Sequence, residues 1–471
     1  MPEFLWLAGK AFVIALILTP IIRDISRSFN IVDRPGKRKV HAYPMPRVGG
    51  IAIAIAYGAS LITFSSPNPQ LMASLAPAWK LIPGAALVFL IGLADDFFSL
   101  KPWIKILGLV AAASAVFFSG LHVGGLAKHD LSIWLDYPLT VFWLLLTSNA
   151  LNLIDGLDGL CAGMGLVATL ALFAAALLHG NYPLAYVTFP LAGALVGFLC
   201  YNINPATVFL GDSGALLIGF LLGCYGMIWT QKASTLLSML VPLLALSIPL
   251  LDVSLSVLRR FLSNQPIFGA DRGHIHHRLL ERGLSPRKAM LVLCLFAALA
   301  AALALLGTSF LGGRYQGFVI LLFCIAAWAG IQQLRYSEFD VARRLLFRGE
   351  FQRAMHGKLR MESLASALEQ ALTREKWWEE LVQGLSTMDL VAIRWTGPQG
   401  TREKHQAGSV AAWSFRVPLP SADVIEIEGR FDTGAESFDF VAFAQLLSRT
   451  CPAQSTDGQS LVPEAAAVVI P

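Results

Sequence analysis

Residues 133–179 read IWLDYPLTVFWLLLTSNALNLIDGLDGLCAGMGLVATLALFAAALLH, which is two long apolar stretches joined by one polar turn. A helix needs about 20 apolar residues to cross a hydrocarbon core of roughly 30 Å. Both stretches approach that length, and only helices satisfy their own backbone polar groups in lipid. The joint carries amide and carboxylate side chains, which are costly at a membrane edge and usually mark function.

The same apolar pattern recurs along the chain, which is 55% hydrophobic and 14% charged over 471 residues. Soluble domains carry about a quarter charged residues. The candidate membrane helices are 4–22, 48–64, 80–94, 103–120, 133–151, 160–179, 183–201, 208–229, 236–258, 289–308 and 315–334. The sequence therefore predicts an all-α polytopic membrane protein with about eleven transmembrane helices.

Lysine and arginine are concentrated on one side of the predicted membrane. Loops 23–47 and 259–288 each hold seven basic residues, whereas the loops on the other side are short and almost uncharged. Cytoplasmic loops carry the excess of lysine and arginine in membrane proteins. We therefore expect the N-terminus outside and the C-terminus in the cytoplasm.

The composition changes after residue 335, where the long apolar segments end. The later pattern predicts a long helix, three strands and a last helix, at 339–385, 390–395, 412–418, 424–431 and 438–448. We interpret 1–335 as the membrane-embedded domain and 336–452 as a small C-terminal α+β cytosolic module of unknown role. Residues 453–471, rich in Ala and Pro, are expected to be a disordered tail.

Four polar patches lie on the predicted cytoplasmic face. They are Asp95-Asp96, the run Asn149-x-x-Asn152-x-x-Asp155-Gly156-x-Asp158-Gly159, the turn Phe209–Gly214, and the cluster His274, His276, His277 and Arg278. Two adjacent carboxylates stay ionised only beside a cation or strong donors. The Asp95-Asp96 pair therefore predicts a magnesium site, a substrate-phosphate site or a base, and a solvated helix end is the alternative.

The run after Asn149 has a spacing of three residues, which puts Asn152, Asp155 and Asp158 on one stripe of a helix that continues into a turn. We interpret this stripe as a ligand or metal site, with a polar turn without chemistry as the alternative. Asp212 lies between glycines, which let the backbone approach a phosphate or metal closely. Magnesium often takes only one or two carboxylates, so Asp212 is a candidate ligand, although a helix N-cap is the simpler reading.

The histidine cluster allows more than one reading. Three histidines suit zinc, but no cysteine accompanies them and the neighbouring Arg272 and Arg278 would repel a cation. Imidazole N–H groups and a guanidinium fork suit a diphosphate better, and a solvated loop is the third reading.

Three further basic side chains near this face are candidate phosphate ligands: His41, Arg47 and Lys105. Topology alone explains part of this charge, and juxtamembrane basic residues also attract anionic lipid headgroups. Lys105 lies just inside the fourth apolar segment, where its ammonium either snorkels to the surface or touches a phosphate.

Residues 1–335 resemble the polyprenyl-phosphate N-acetylhexosamine-1-phosphate transferases, membrane enzymes that start bacterial cell-surface polysaccharides. The resemblance rests on Arg38-Lys39-x-His41, Pro46-Arg47-x-Gly49-Gly50, Asp95-Asp96, the Asn149–Gly159 run, Tyr201-Asn202 before Pro205-Ala206, Phe209–Gly214 and His274–Arg278. It implies eleven helices, a cytoplasmic active site at the bacterial inner membrane, and Mg²⁺, for which Mn²⁺ can substitute. The His-Ile-His-His form resembles the branch that acts on undecaprenyl phosphate and N-acetylglucosamine (GlcNAc) 1-phosphate.

The reaction that the resemblance implies moves GlcNAc 1-phosphate from a UDP-sugar to polyprenyl phosphate, with UMP leaving. Asp212, Asp95 and Asp96 are then expected to hold the metal, and Asp95, Asp96, Asp155 and Asp158 to be catalytic. Substrate contacts are expected from His41, Arg47, Lys105, Asn152, Asn202, His274, His276, His277 and Arg278. Direct attack by the lipid phosphate and a covalent aspartyl intermediate both stay open. The expected partners are the two substrates and membrane lipids, a homodimer is one candidate assembly, and no nucleic acid is expected.

A secondary transporter is the alternative from another class, because intramembrane acids bind ions in such proteins. Transporter sites lie near the membrane midplane, often within inverted repeats. Here the acids lie at the membrane edge and the sequence shows no clear internal repeat. A membrane scaffold that displays the C-terminal module would leave the four patches unexplained.

Overall fold

A computed structural model describes most of the chain. The described residues are 3–33, 44–64, 69–75, 79–126, 132–231, 239–262, 273–310, 316–333, 350–387, 390–398, 400–405, 413–419, 423–429 and 440–452. The contacts within the chain form two compact units, Met1–Arg335 and Tyr336–Pro471.

The first unit is helical, and its helices follow the apolar segments of the sequence. They are α1 (Glu3–Ser28), α2 (Gly49–Ile62), α3 (Pro69–Ser74), α4 (Ile82–Phe98), α5 (Pro102–Phe118), α6 (Ile133–Ile154), α7 (Leu160–Leu178), α8 (Tyr182–Asn202), α9 (Gly211–Gln231), α10 (Leu240–Ala245), α11 (Ser247–Leu262), α12 (Ile275–Glu281), α13 (Pro286–Leu305) and α14 (Gln316–Gln333). A 3₁₀ turn, a π-helical turn and two short paired strands complete it: Val123–Leu126, Leu306–Phe310, β1 (Val32–Asp33) and β2 (Met45–Pro46).

Six described helices are long and apolar enough to cross a membrane. They are Glu3–Ser28, Ile133–Ile154, Leu160–Leu178, Tyr182–Asn202, Gly211–Thr230 and Pro286–Thr308. The apolar helices at 49–62, 102–118 and 317–330 are shorter, at 10 to 17 residues. The chain is therefore a multi-pass membrane protein, and the count of eleven spans stays a prediction.

The predicted single helix over 236–258 is wrong. The helix is interrupted at Leu246, so that α10 ends at Ala245 and α11 begins at Ser247. Pro249 has no N–H to donate to the carbonyl of Ala245, which favours a helix start at this point. The sequence pattern missed this break because the segment was defined by its apolar length, which neither Ser247 nor Pro249 shortens.

Helix α9 is the centre of the first unit. Its membrane-spanning stretch is buried along its whole length, and it packs against α2, α4, α6 and α7. Asp212 lies in the first turn of this helix. The ends of the helices that pack around this turn can therefore contribute side chains near Asp212.

The second unit is an α+β module, as predicted. Its elements are α15 (Glu350–Gln370), α16 (Arg374–Thr387), β3 (Leu390–Gly397), β4 (Gly400–His405), β5 (Trp413–Pro418), β6 (Val424–Gly429) and α17 (Phe440–Thr450). The sheet is antiparallel in the order β4-β3-β6-β5, and its core contains Trp377, Trp395, Phe415 and Phe443. The predicted long helix is two helices, α15 and α16. Strand β4 was missed because its residues are exposed and lack apolar side chains. The predicted tail lies outside the described residues.

Candidate active site

The first-loop glycines lie directly against the turn that precedes α9. The Gly49 N–H donates to the Phe209 carbonyl at 3.0 Å, and the Gly50 N–H donates to the Leu210 carbonyl at 2.8 Å. The Phe209 N–H in turn donates to the carbonyl of Pro46 at 2.8 Å. Two motifs that are about 160 residues apart in sequence therefore form one backbone-bonded unit.

Gly50 leaves no room for a side chain. A Cβ added there would lie 2.2 Å from the Gly214 nitrogen and 2.6 Å from Ser213 Oγ. Because backbone atoms cannot yield cheaply, we expect Gly50→Ala to force α2 away from α9 and to lower the free energy of unfolding by about 1–3 kcal/mol. Thermal unfolding in detergent measures this effect. Gly58→Ala, on the same helix and with nothing within 4 Å of its Cβ, should unfold no earlier than wild type, and an equal Tm for both variants would contradict the close approach.

Asp96 holds the first turn of α9. Its side chain is 0% exposed. Asp96 Oδ1 accepts the Asp212 N–H at 2.8 Å, and Oδ2 accepts the N–H and the hydroxyl of Ser213 at 3.0 and 2.6 Å. Because both oxygens accept hydrogen bonds from the N-terminus of α9, the geometry gives Asp96 a positioning role. Its role as a metal ligand or catalyst stays a prediction.

Lys105 joins two carboxylates. Its Nζ lies 2.9 Å from Asp95 Oδ2 and also bonds the Asp212 carboxylate. Arg47 adds longer contacts, 3.8 Å to Asp212 and 4.0 Å to Asp96. Three carboxylates and two cations from separate parts of the chain thus form one charged cluster, which we call the aspartate cluster. Lys105 is thus bonded to acids, and both its snorkelling and its phosphate contact stay predictions.

The polar run after α6 meets the same cluster. Helix α6, which carries Asn152 in its last turn, packs against α9. Asp155 follows the last residue of α6, and its burial, together with the negative charges of Asp212 and Asp96, raises its pKa to about 8. Asp155 therefore keeps its proton at neutral pH unless a cation binds beside it.

Asp158 and Asn202 connect this run to the segment that leads into α9. Asp158 Oδ2 accepts the Asn204 amide and the Ala206 N–H at 2.9 and 3.0 Å. Asn202 Oδ1 accepts the Gly159 N–H at 3.2 Å, and its amide donates to a backbone carbonyl. These contacts position the loops, so the predicted catalytic role of Asp158 and the predicted substrate contact of Asn202 stay predictions.

The histidine cluster lies against the turn after α6. His276 Nε2 is 2.7 Å from the place that a Cβ of Gly156 would occupy. His276 is 1% exposed, and within the described part of the chain its ring nitrogens have no hydrogen-bond partner. Burial, and then the charge of His277, lower the pKa of His276 to about 3. This imidazole is therefore neutral at physiological pH and offers a single N–H donor.

His274 is bonded to a carboxylate that the sequence reading missed. Its Nδ1 lies 3.0 Å from Asp252 Oδ2, and the Ile275 N–H donates to Asp252 Oδ1 at 2.8 Å. Asp252 lies inside an otherwise apolar segment. A lone acid there is itself a functional signal, which was hidden because the four patches were sought only at segment ends.

The remaining candidates are placed as follows. The ring centroid of His277 lies 4.3 Å from that of His276, and Arg278 Nη1 lies 3.4 Å from Glu281 Oε2. His41 lies outside the described residues.

The described residues offer Mg²⁺ two carboxylate ligands but no complete ligand shell. Among the described residues, no three His, Cys, Asp or Glu side chains form a ready metal-binding group. The carboxylates of Asp95 and Asp212 do lie close together, because both are bonded to Lys105 Nζ. Two carboxylates are enough for Mg²⁺ when substrate phosphates and water supply the other oxygens.

Comparison with known proteins shows the family of this chain. Residues 78–230 match the family described as Glycosyl transferase family 4. A probable undecaprenyl-phosphate N-acetylglucosaminyl 1-phosphate transferase of Bacillus subtilis is 32% identical over 342 residues, which cover 70% of this chain and 94% of that protein. This chain belongs to the polyprenyl-phosphate N-acetylglucosamine-1-phosphate transferase family.

Other members of the transferase family match at similar levels. The decaprenyl-phosphate N-acetylglucosaminephosphotransferase of Mycolicibacterium smegmatis is 34% identical, covering 62% of this chain and 79% of that protein. The undecaprenyl-phosphate alpha-N-acetylglucosaminyl 1-phosphate transferase of Escherichia coli K12 is 29% identical, covering 67% and 86%. Membership in this transferase family gives no support to the transporter alternative.

Proposed function

We propose that this protein transfers GlcNAc 1-phosphate from UDP-GlcNAc to undecaprenyl phosphate and releases UMP, as the first membrane step of a cell-surface polysaccharide. The observation that carries the proposal is the contact of the four sequence patches in pairs, two at the first turn of α9 and two at the turn after α6. Asp96 accepts the Asp212 N–H, His276 lies against Gly156, and the charge of Asp212 acts on Asp155 in the run that contains Gly156.

The proposed reaction is an exchange between two phosphates. An oxygen of the lipid phosphate attacks the phosphorus that carries the sugar, and the bond from that phosphorus to the UMP oxygen breaks. Enzymes catalyse such transfers mainly by positioning and by neutralising charge. Lys105 and Arg47 supply positive charge beside Asp95 and Asp212, and His274 and Arg278 are proposed to hold the diphosphate.

Asp212 and Asp95 are the proposed Mg²⁺ ligands, and Mn²⁺ is expected to substitute. The bound ion would neutralise the diphosphate. Asp96 keeps Asp212 in place by binding the Asp212 and Ser213 N–H groups. We place the site on the cytoplasmic side of the inner membrane, because the loops that flank it carry most of the lysine and arginine of the first 335 residues.

Purified protein in detergent tests this function. We expect sugar-labelled UDP-GlcNAc and undecaprenyl phosphate to give a label that partitions into organic solvent, with Mg²⁺ required. UDP-GalNAc in parallel reports the sugar preference. A zinc-selective chelator in excess Mg²⁺ should leave the rate unchanged if the histidines bind an anion rather than zinc. No lipid-linked label from well-folded protein would refute the proposal.

A further inference from the structure

Helix α11 binds three consecutive residues at the start of the histidine cluster, Gly273, His274 and Ile275. Arg259 Nη1 donates to the Gly273 carbonyl at 2.9 Å. Asp252, two turns earlier, contacts His274 Nδ1 at 3.0 Å and accepts the Ile275 N–H at 2.8 Å. Because α11 packs against α6, these contacts fix the cluster beside the polar run that ends α6.

Asp252 is 2% exposed. A carboxylate in that setting costs free energy unless donors compensate it, and here the donors are an imidazole and a backbone N–H. A carboxylate on one ring nitrogen of a histidine determines which nitrogen carries the proton and how the ring is oriented. With Nδ1 directed at Asp252, Nε2 is the nitrogen that can meet a ligand.

We infer that Asp252 is a positioning residue for the proposed reaction: it orients His274 so that Nε2 meets the substrate diphosphate. The inference rests on the proposed function. His276 does not share this support, since it has no hydrogen-bond partner within the described residues. The two histidines therefore differ in role: His274 is held by a charge, and His276 is a buried neutral ring against Gly156.

A second Asp–His pair in the same chain, with a buried aspartate and a partly exposed histidine, provides the control. Asp136 is 4% exposed and lies 2.5 Å from His122 Nδ1. Asp136 is in the first turn of α6, whereas the aspartate cluster lies near its last turn. At 1.5 Å per residue these ends are roughly 30 Å apart, so the control breaks a similar contact far from the site.

The test is a double-mutant cycle with Asp252→Asn, His274→Asn and both together, assayed with UDP-GlcNAc and undecaprenyl phosphate. A misplacement of about 1 Å can cost roughly 100-fold, so we expect Asp252→Asn to lower kcat/KM by about 10- to 100-fold. If Asp252 acts through His274, the double variant should match His274→Asn within about twofold. Asp136→Asn should keep the wild-type kcat/KM, even where its Tm falls.

A merely structural role predicts other results. The inference would be overturned if the fold-losses in kcat/KM of Asp252→Asn and His274→Asn multiplied in the double variant. It would also be overturned if Asp136→Asn lost as much kcat/KM as Asp252→Asn. Asp252→Glu keeps the charge and should recover activity relative to Asp252→Asn, and it serves as the folded variant if Asp252→Asn unfolds. No recovery in a folded Asp252→Glu would also count against the role.

A binding measurement separates this inference from the proposed function. UDP-GlcNAc should raise the Tm of wild type and of Asp136→Asn, and should raise that of Asp252→Asn less. If wild type binds but shows no transfer, the proposed function fails and the Tm comparison still tests Asp252. A full UDP-GlcNAc shift in Asp252→Asn, together with normal turnover, would refute the inference alone.

Discussion

Asp212→Asn is expected to lower the transfer rate by about two to three orders of magnitude, the range seen when one electrostatic contact to the transition state is lost. The change keeps the size of the side chain and removes its charge. Asp96 binds the backbone N–H of residue 212 rather than its carboxylate, so the first turn of α9 should remain capped. The variant should therefore fold and lose mainly its charge contacts with Lys105 and Arg47 and its proposed Mg²⁺ contact.

The measurement is the Mg²⁺ dependence of transfer, with Tm as the check on folding. The matched control is Asp24→Asn, because Asp24 is an exposed acid paired with the adjacent Arg23. We expect that control to behave as wild type. Near-normal transfer by folded Asp212→Asn at low Mg²⁺ would remove Asp212 from the proposed metal site.

Lys105→Met is expected to lower kcat/KM by about 10- to 100-fold. The ammonium contacts both Asp95 and Asp212, and its loss leaves two carboxylates facing each other. Charge-assisted hydrogen bonds are worth roughly 1.5–3 kcal/mol each. The variant should also need more Mg²⁺ for half-maximal rate, if the cation of Lys105 normally helps to neutralise this cluster.

Lys101→Met is the matched control, since Lys101 is an exposed residue just before α5 and lies four positions from Lys105. It should transfer at the wild-type rate. Equal losses in both lysine variants would show a general effect of surface charge, and an unchanged Lys105→Met would show that the bridge between the carboxylates has no part in turnover.

Much of the fold followed from apolar length. A run of about 20 apolar residues in lipid has to be helical, and α6, α7 and α8 begin and end within three residues of the predicted segments. The break at Leu246 could not be predicted in this way, because a kink in an apolar run changes no hydropathy. Strand β4 was missed because an exposed strand has no apolar face to alternate.

The sequence predicted which residues belong to the candidate site, but it did not predict what each of them contacts. The sequence placed all four patches on one face, but it treated Asp95 and Asp96 as equivalent. The structure separates them: Asp95 contacts Lys105, whereas the polar partners of Asp96 among the described residues are groups of the α9 turn and Arg47. Which of two adjacent side chains faces inward depends on helix packing, and no local pattern records that. Asp252 was missed because it lies within a segment rather than at its end, and its partner His274 is 22 residues away in the chain.

The position of a labelled phosphorus tests the central claim most directly. UDP-GlcNAc carrying ³²P in the phosphate next to the sugar is incubated with purified protein, Mg²⁺ and undecaprenyl phosphate. Transfer of GlcNAc 1-phosphate predicts that the ³²P moves to the lipid together with the sugar and that the released nucleotide is unlabelled UMP. Release of ³²P-labelled UDP, with the sugar alone on the lipid, would contradict the account.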